Sequence, residues 1–555
     1  MKYAKLLSII FALTLVLSSC GNSSDSPDAE SSLQSSAVTD TAVQESETSE
    51  IPKAPETPTY ENAREIVLSD DIVTVDGVVA GTDTSSSVYT ANDIVFYESG
   101  KDFTYGEGTE KDSHSAEEAA AHTVVHITEK GTYSVSGKLS RGQIAIDLGN
   151  DAEDDPEAVV TLVLNGVEIT CDVAPAVIFY NVYECGSDDA DAATKDVDTS
   201  AAGANVIIAD GTVNTVNGSY VARIYKPGSV VLDDNNEIVD SKKLHKYDGA
   251  FYSKMSMNIY GDDGALNITA ANEGLDSEMH LAINGGVISI KSGNDGINTN
   301  EDGISVTTVN GGTLTITVTG DTGEGDGIDS NGWLVINGGT VTAAACSDSA
   351  DAGIDSDMGI HINGGTVMAT GHMLDRIEDG GQTYAVFNFR EKQDGIKAVT
   401  FKNNSDDTVF ESSPGNMYSI LIYSAPDLTA GTYSLWCDGK QMAGQGGGMM
   451  GGHGGHGMKP DDGERPERPE GFETFEGEMP PEGFETFESE IPPEGFEPIK
   501  GEKPQMDGMS PDGRPERPEG ERPDGEMGGI PAGEMSPDFN IQDGANMFSG
   551  ISYLE

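Results

Sequence analysis

Four short turns carry the residues that could do chemistry. EGLDS from Glu273, DGINT from Asp295, DGIDS from Asp326 and AGIDS from Ala352 each set a glycine and an aliphatic between oxygen donors. Glu273 pairs with Asp276, Asp295 with Asn298, and Asp326 with Asp329 at one spacing. In the last copy Ala352 replaces the acid, and Asp351, one position earlier, stands with Asp355. Such oxygens are hard ligands with no cysteine and few histidines nearby, which favours Ca2+ over zinc or copper. Magnesium fits less well because it keeps its waters. If the turns stack in successive coils, their charges lie about 4.8 Å apart. They then repel by roughly 1 kcal/mol in water and about 3.5 kcal/mol at an effective dielectric of 20. A cation in the ladder removes that cost. The plain alternative is a solvated turn whose Asp and Asn merely favour the backbone geometry; four copies at equivalent positions favour calcium.

The elements that must position these turns are written in the same repeat. Asn284, Asn310, Asn337 and Asn363, each before Gly-Gly, are spaced 26, 27 and 26 residues apart. An alternating run follows each pair: VISI, TLTITV, TVTA, TVMA. Alternation puts Leu281 with Ile283, and Ile288 with Ile290, on inward faces, while Leu275, Ile297, Ile328 and Ile354 supply a third inward position. Three short inward segments per coil predict an all-β fold, a right-handed three-sided parallel β-helix, or solenoid. A propeller blade would need about 40 residues. The copy at Val306 reads one residue out of phase, which predicts a bulge. The four asparagines are expected to form a structural amide ladder and not to ligate metal.

Composition narrows the function classes. The 555 residues carry a formal net charge of −64. That excludes nonspecific nucleic-acid binding, which needs basic residues to replace counterions, and disfavours an anionic membrane surface. Five scattered cysteines make no disulfide framework or CxxC site. Cys171, Cys346 and Cys437 read as buried thiols, with a Cys171–Cys185 bridge as the less favoured alternative.

In chain order, residues 1–20 have a Lys2/Lys5 start, an apolar run and LSSC. The run is too short for an ordinary membrane span. LSSC before Gly21 resembles the lipobox of bacterial lipoproteins, which implies lipidation of Cys20, an anchored cell-surface location, and contact with the membrane through that anchor alone. Residues 21–60 read as a disordered tether reaching roughly 35 Å. A domain is expected over 61–440, with irregular early coils, the regular repeats, and from about 380 an aromatic-rich strand cap over the last open edge. Residues 186–204 and 233–246 read as acidic, polar insertions. Residues 441–555 turn Gly/Met-rich, then Pro/Glu-rich with PEGFE at Pro469, Pro481 and Pro493, and read as a disordered acidic tail. The final FSGISYLE is more apolar, and the sequence offers no test of whether it docks back.

The NG-rich coils, the DGI turns, SAPDLTAGTYSL from Ser424 and the Gly/Met stretch together resemble the bacterial carbohydrate-binding domain-containing family over residues 66–438. The resemblance implies a pectate-lyase-like β-helix and calcium on the turns at Asp248, Glu273, Asp295, Asp326 and Asp351. It also implies binding of cellulose or acidic polysaccharide. A calcium-dependent polysaccharide lyase is the rival reading. A lyase needs a base and a positive group for the developing charge. Residues 261–370 contain one basic side chain, Lys291, and no arginine; Arg376 and Arg390 lie beyond the repeats. A noncatalytic binder is therefore expected, with a surface spacer as the third class. Calcium can bridge an acidic glycan to an acidic protein. Trp333 reads either as a stacking platform for neutral sugars or as a cover over the turn.

Overall fold

The computed structural model describes residues 54–446 and 535–554, all within the unit Ile51–Glu555. It is nearly all-β, with large sheets built from three ladders and, among the described residues, one short α-helix, Ala116–Ala120. The first ladder runs from Arg64–Leu68 through Gly131–Leu139, Val160–Thr170, Ala204–Ile208 and Met257–Gly261. It continues through Leu281–Ile283, Val306–Val309 and Trp333–Ile336 to Gly359–Ile362, every pairing parallel. A second ladder stacks Val213–Gly218, Ala265–Ala270, Val287–Ser292, Thr313–Val318, Thr340–Ala344 and Thr366–Gly371. The third stacks Thr123–Ile127, Gly142–Asp147, Val177–Asn181, Gly249–Ser253, Glu273–Ser277, Ile297–Thr299 and Ile328–Ser330.

One core fills the space between the ladders. Leu275, Ile297 and Ile328 meet Leu281, Ile283, Ile288, Ile290, Leu314 and Ile316 there, all buried. In-register parallel pairing puts like on like, so Ile288 stacks on Leu314 and Leu314 on Val341. The Gly-Gly pair between the first and second ladders is dictated by space and backbone. A Cβ on Gly285 would fall 2.1 Å from the Gly261 carbonyl oxygen, and Gly286 has φ +87°. The asparagine before each pair forms the expected amide ladder. Asn310 Nδ2 donates to Asn284 Oδ1 at 2.8 Å, Asn337 to Asn310 at 2.9 Å and Asn363 to Asn337 at 2.8 Å.

Expectations are corrected at the Val306 copy and at the domain boundary, and the cysteines are as expected. The Val306 copy has no bulge: Thr307 pairs in register between Leu281 and Leu334 and is fully buried. Its hydroxyl is satisfied by Thr299 Oγ1 at 3.1 Å, which in turn meets Ser330 Oγ at 2.8 Å. A buried hydroxyl with a partner is tolerated in line, so the strand need not slip. Cys171 and Cys185 are unpaired thiols, and Cys171, Cys346 and Cys437 are buried as expected. The boundary at 440–441 falls within a strand, Lys440–Gly446, and the chain's last strands join the same cap.

That cap has its own aromatic core, with Phe387, Phe401, Tyr418, Leu435, Phe539 and Phe548 buried together. Tyr418–Ser424 pairs antiparallel with Thr366–Gly371 and covers the edge of the second ladder. Ala545–Tyr553 lies parallel to Tyr384–Gln393 and antiparallel to Lys440–Gly446. The apolar end does dock back, because Phe548 and Ile551 are buried in this core. At the other end, Tyr60 packs against Val163, Ile207, Ala209 and Tyr260, so part of the expected tether belongs to the fold. Residues 1–53 and most of the Pro/Glu-rich stretch lie outside the described residues, and with them the lipobox and Cys20.

Candidate cation site and its neighbouring cavity

Backbone register brings the acidic turns into two columns. Asp276 pairs with Asn298, and Asn298 with Asp329, on adjacent strands of the third ladder. Glu273, Asp295, Asp326 and Ala352 follow one another in a second column, each held by main-chain bonds from the following glycine, such as Gly274 N to Asp295 O and Gly296 N to Asp326 O. Those glycines are forced by the core: a Cβ on Gly274 would meet Ile290 Cγ2 at 2.3 Å, and one on Gly296 would meet Ile316 Cγ2 at 2.2 Å.

Among the described residues, three carboxylates converge. Oxygens of Asp248, Glu273 and Asp276 lie within 4.8 Å of one another. Glu273 and Asp276 are buried, while the Asp248 side chain is 11% exposed at the edge. Asn298 Nδ2 donates to Glu273 Oε1 at 3.2 Å, and Asn300 Nδ2 to Asp276 Oδ1 at 2.5 Å. Lys246 pairs with Asp248 Oδ2. Three oxygens remain buried without a partner: Glu273 Oε2, Asp276 Oδ2 and Asn298 Oδ1. Burial pushes the Glu273 carboxyl well above its ordinary range, and the neighbouring Asp276 and Asp248 push it further. Asp276 is raised the same way, by burial and then by Asp248 and Glu278. Asp248 is raised by burial against the pull of Lys246. Lys246 works against its own burial, but Asp248, Glu273 and Asp276 together hold it above its ordinary value.

The donor set of this cluster suits a hard divalent cation. The donors are oxygens, three of them orphaned, and three carboxylates with one lysine leave two formal negative charges. Farther along the stack the acids are partly satisfied by main chain. Asp326 N donates to Asp295 Oδ1 at 2.7 Å and Ala352 N to Asp326 Oδ1 at 2.5 Å. Burial still lifts Asp295 to about 7 and, with Asp295 and Asp355 beside it, Asp326 to about 9. Asp329 rises to about 7 through burial and Asp295, and Asp355 to about 7 through burial and Asp375. Asp351 stands apart as a turn cap, its Oδ2 accepting from Gly325 N at 2.5 Å and from Ser349 Oγ. Trp333 is half-buried between Val306 and Gly359 in the first ladder, whereas Glu273 and Asp276 lie on a strand of the third.

Sequence reading missed the basic side chains. The excursion between the second and third ladders folds as an antiparallel ribbon, Val221–Tyr225 with Lys243–Tyr247. It delivers Arg223, Lys243 and Lys246 to a cavity of about 300 Å3 walled also by Glu278, Asn300, Glu301, Asp302 and Asn331. Lys246 and Asn300 thus belong both to this cavity and to the carboxylate cluster. Asp375, which bonds Ser356 N at 3.2 Å, was also missed. The basic residues and Asp375 stand outside the repeats, so periodicity gave no signal for them.

Comparison with known proteins adds the following. A family model described as carbohydrate-binding domain-containing protein matches residues 121–405, just over half of the 555-residue chain. No curated protein matches. Among solved structures, the polysaccharide lyase-like protein from C. thermocellum, as its gadolinium derivative, is 21% identical with a TM-score of 0.31. That match covers 55% of this chain and 92% of the other. The matched residues 121–405 hold the regular coils, the amide column, the acidic columns and the ribbon, and the chain belongs to the carbohydrate-binding domain-containing family.

Proposed function

We propose that the ladders form a right-handed three-sided parallel β-helix whose acidic turns hold Ca2+, and that the protein binds polysaccharide without cleaving it. The observation that carries this reading is the trio of buried, partnerless oxygens on Glu273, Asp276 and Asn298 beside the Asp248 carboxylate. Glu273, Asp276, Asn298 and Asp248 would hold the ion. When bound, it would supply positive charge to a surface that otherwise repels acidic glycans. Family membership supports a polysaccharide ligand. The candidates are an acidic glycan such as polygalacturonate, or cellulose stacked on Trp333. A lipidated Cys20 would anchor the protein at the cell surface; Cys20→Ser should move it from the membrane fraction to the medium.

The experiment is polygalacturonate retention with Ca2+ and with EDTA, followed by measurement of polymer length. Calcium-dependent retention of uncut polymer is expected. Equal retention with and without calcium would remove the metal from the account. A second reading, a polysaccharide lyase, gains from one feature. Arg223, Lys243 and Lys246 line a cavity that shares Lys246 and Asn300 with the carboxylate cluster, offering the positive groups that the coils lack. Accumulation of unsaturated uronate ends would make that reading the correct one.

A further inference from the structure

The ribbon has two chemically different sides. Ile224, Tyr225, Leu244 and His245 line a cavity of about 710 Å3 together with Phe96 and Tyr105. Arg223, Lys243 and Lys246 line the smaller polar one. The division does not follow simple alternation, because the pairing of the two strands shifts register between Val221 and Ile224 and again between Ile224 and Tyr225. In a chain with formal charge −64, three cations around one cavity of about 300 Å3 form a local exception.

Their bonding separates them. Lys246 is engaged by Asp248 and belongs to the carboxylate cluster. Lys243 Nζ sits 3.4 Å from both Glu278 oxygens, too far for strong bonds, while Glu278 Oε1 accepts from Tyr252 Oη at 2.7 Å. Arg223 Nη1 donates to Glu107 Oε1 at 3.1 Å, and its Nε is buried without an acceptor. Two cations therefore keep unused donor capacity. Acceptors and amides complete the wall: Asn331 Nδ2 donates to Asp302 Oδ1 at 3.2 Å, and Glu301 stands beside them. Cations for a carboxylate together with acids and amides for hydroxyls are the recognition set of a sugar acid. The volume is at the lower end for a small-ligand site.

We propose that this cavity is a uronate subsite, in which Arg223 and Lys243 receive the sugar carboxylate directly and Asn300, Glu301, Asp302 and Asn331 take its hydroxyls. The proposal rests on the acidic-glycan part of the function given above but is independent of calcium. Part of the binding to acidic polymer should then persist in EDTA.

The test uses the full-length protein with polygalacturonate, cellulose and dextran sulfate as probes, each with Ca2+ and with EDTA. Lys243→Glu and Arg223→Gln are each expected to weaken polygalacturonate retention by about tenfold or more in EDTA, the scale of a lost charged hydrogen bond. Cellulose retention should not change. Lys243 is an exposed side chain, so its variant decides the matter if Arg223→Gln fails to fold. If calcium shifts nothing in the wild type while both variants lose polygalacturonate, the subsite stands and the metal reading falls. Undiminished polygalacturonate retention in Lys243→Glu would overturn the subsite. Equal loss of dextran sulfate would also overturn it, because charge alone would then account for the effect.

Discussion

Two columns of polar side chains run along the same coils, and they solve the same stacking problem in opposite ways. In the amide column Asn310 and Asn337 each donate to the asparagine before and accept from the one after, at 2.8 to 2.9 Å. An amide carries both a donor and an acceptor, so its ladder closes on itself. A carboxylate only accepts. The two acidic columns must therefore look elsewhere for positive partners, and they find different ones at each level. Asp295 and Asp326 use main-chain N–H groups of the next coil. Glu273 and Asp276 receive one side-chain amide each and keep a second oxygen without a partner. The same stacking of strands thus yields a structural amide column and acidic columns that keep buried oxygens without a partner.

The largest expected effect comes from breaking the amide column. Asn337→Ala removes two hydrogen bonds, the donor to Asn310 and the acceptor for Asn363. It should cost about 2 kcal/mol at roughly 1 kcal/mol per bond. The loss should be the same with calcium or EDTA in denaturant titrations; a calcium-dependent loss would mean that the two columns are not separate systems.

Asp276→Asn should act in opposite directions in the two conditions. Without metal it removes the cost of burying an ionisable carboxyl beside Glu273 and Asp248, raising the melting temperature slightly, by on the order of 1 kcal/mol in stability. With calcium it removes a ligand and lowers the metal-induced gain. Destabilisation of equal size in both conditions would show a packing role alone.

A smaller effect concerns pH. Burial holds Asp295, Asp329 and Asp355 at about 7 and Asp326 at about 9, against an ordinary 3.8. The folded state keeps these protons longer than the unfolded chain does. Their stabilising contribution is therefore full below about 4 and is lost as pH rises through 7 to 9. In EDTA the protein should melt several degrees higher at pH 5 than at pH 8. Calcium binds the ionised form, so its stabilisation should grow over the same interval. A flat profile in EDTA would contradict the burial of these acids.

What could be read from the sequence was what repeats. The three inward positions, the amide column and the pairing of Asp276 with Asn298 and Asp329 all follow from alternation and the recurring glycine-turn and Asn-Gly-Gly motifs. The bulge expected at Val306 failed because pattern alone treats Thr307 as polar. In the fold Thr299 satisfies its hydroxyl, and the residue occupies an inward position. The last strand was legible only as an apolar run, since its partners Tyr384–Gln393 and Lys440–Gly446 lie far back in the chain. The basic half of the site was hidden for a related reason. Arg223, Lys243 and Lys246 occur once each, in an excursion whose destination depends on the ribbon it forms.

The central claim, that the Asp248–Glu273–Asp276 cluster with Asn298 is a divalent-cation site, is tested most directly by calorimetric titration of Ca2+ into the full-length protein. The wild type should bind saturably, and Glu273→Gln with Asp276→Asn should weaken that binding by about tenfold or more, as expected for removing charged ligands from a hard-cation site. Heat of binding unchanged by the double substitution, or absent from the wild type, would contradict it.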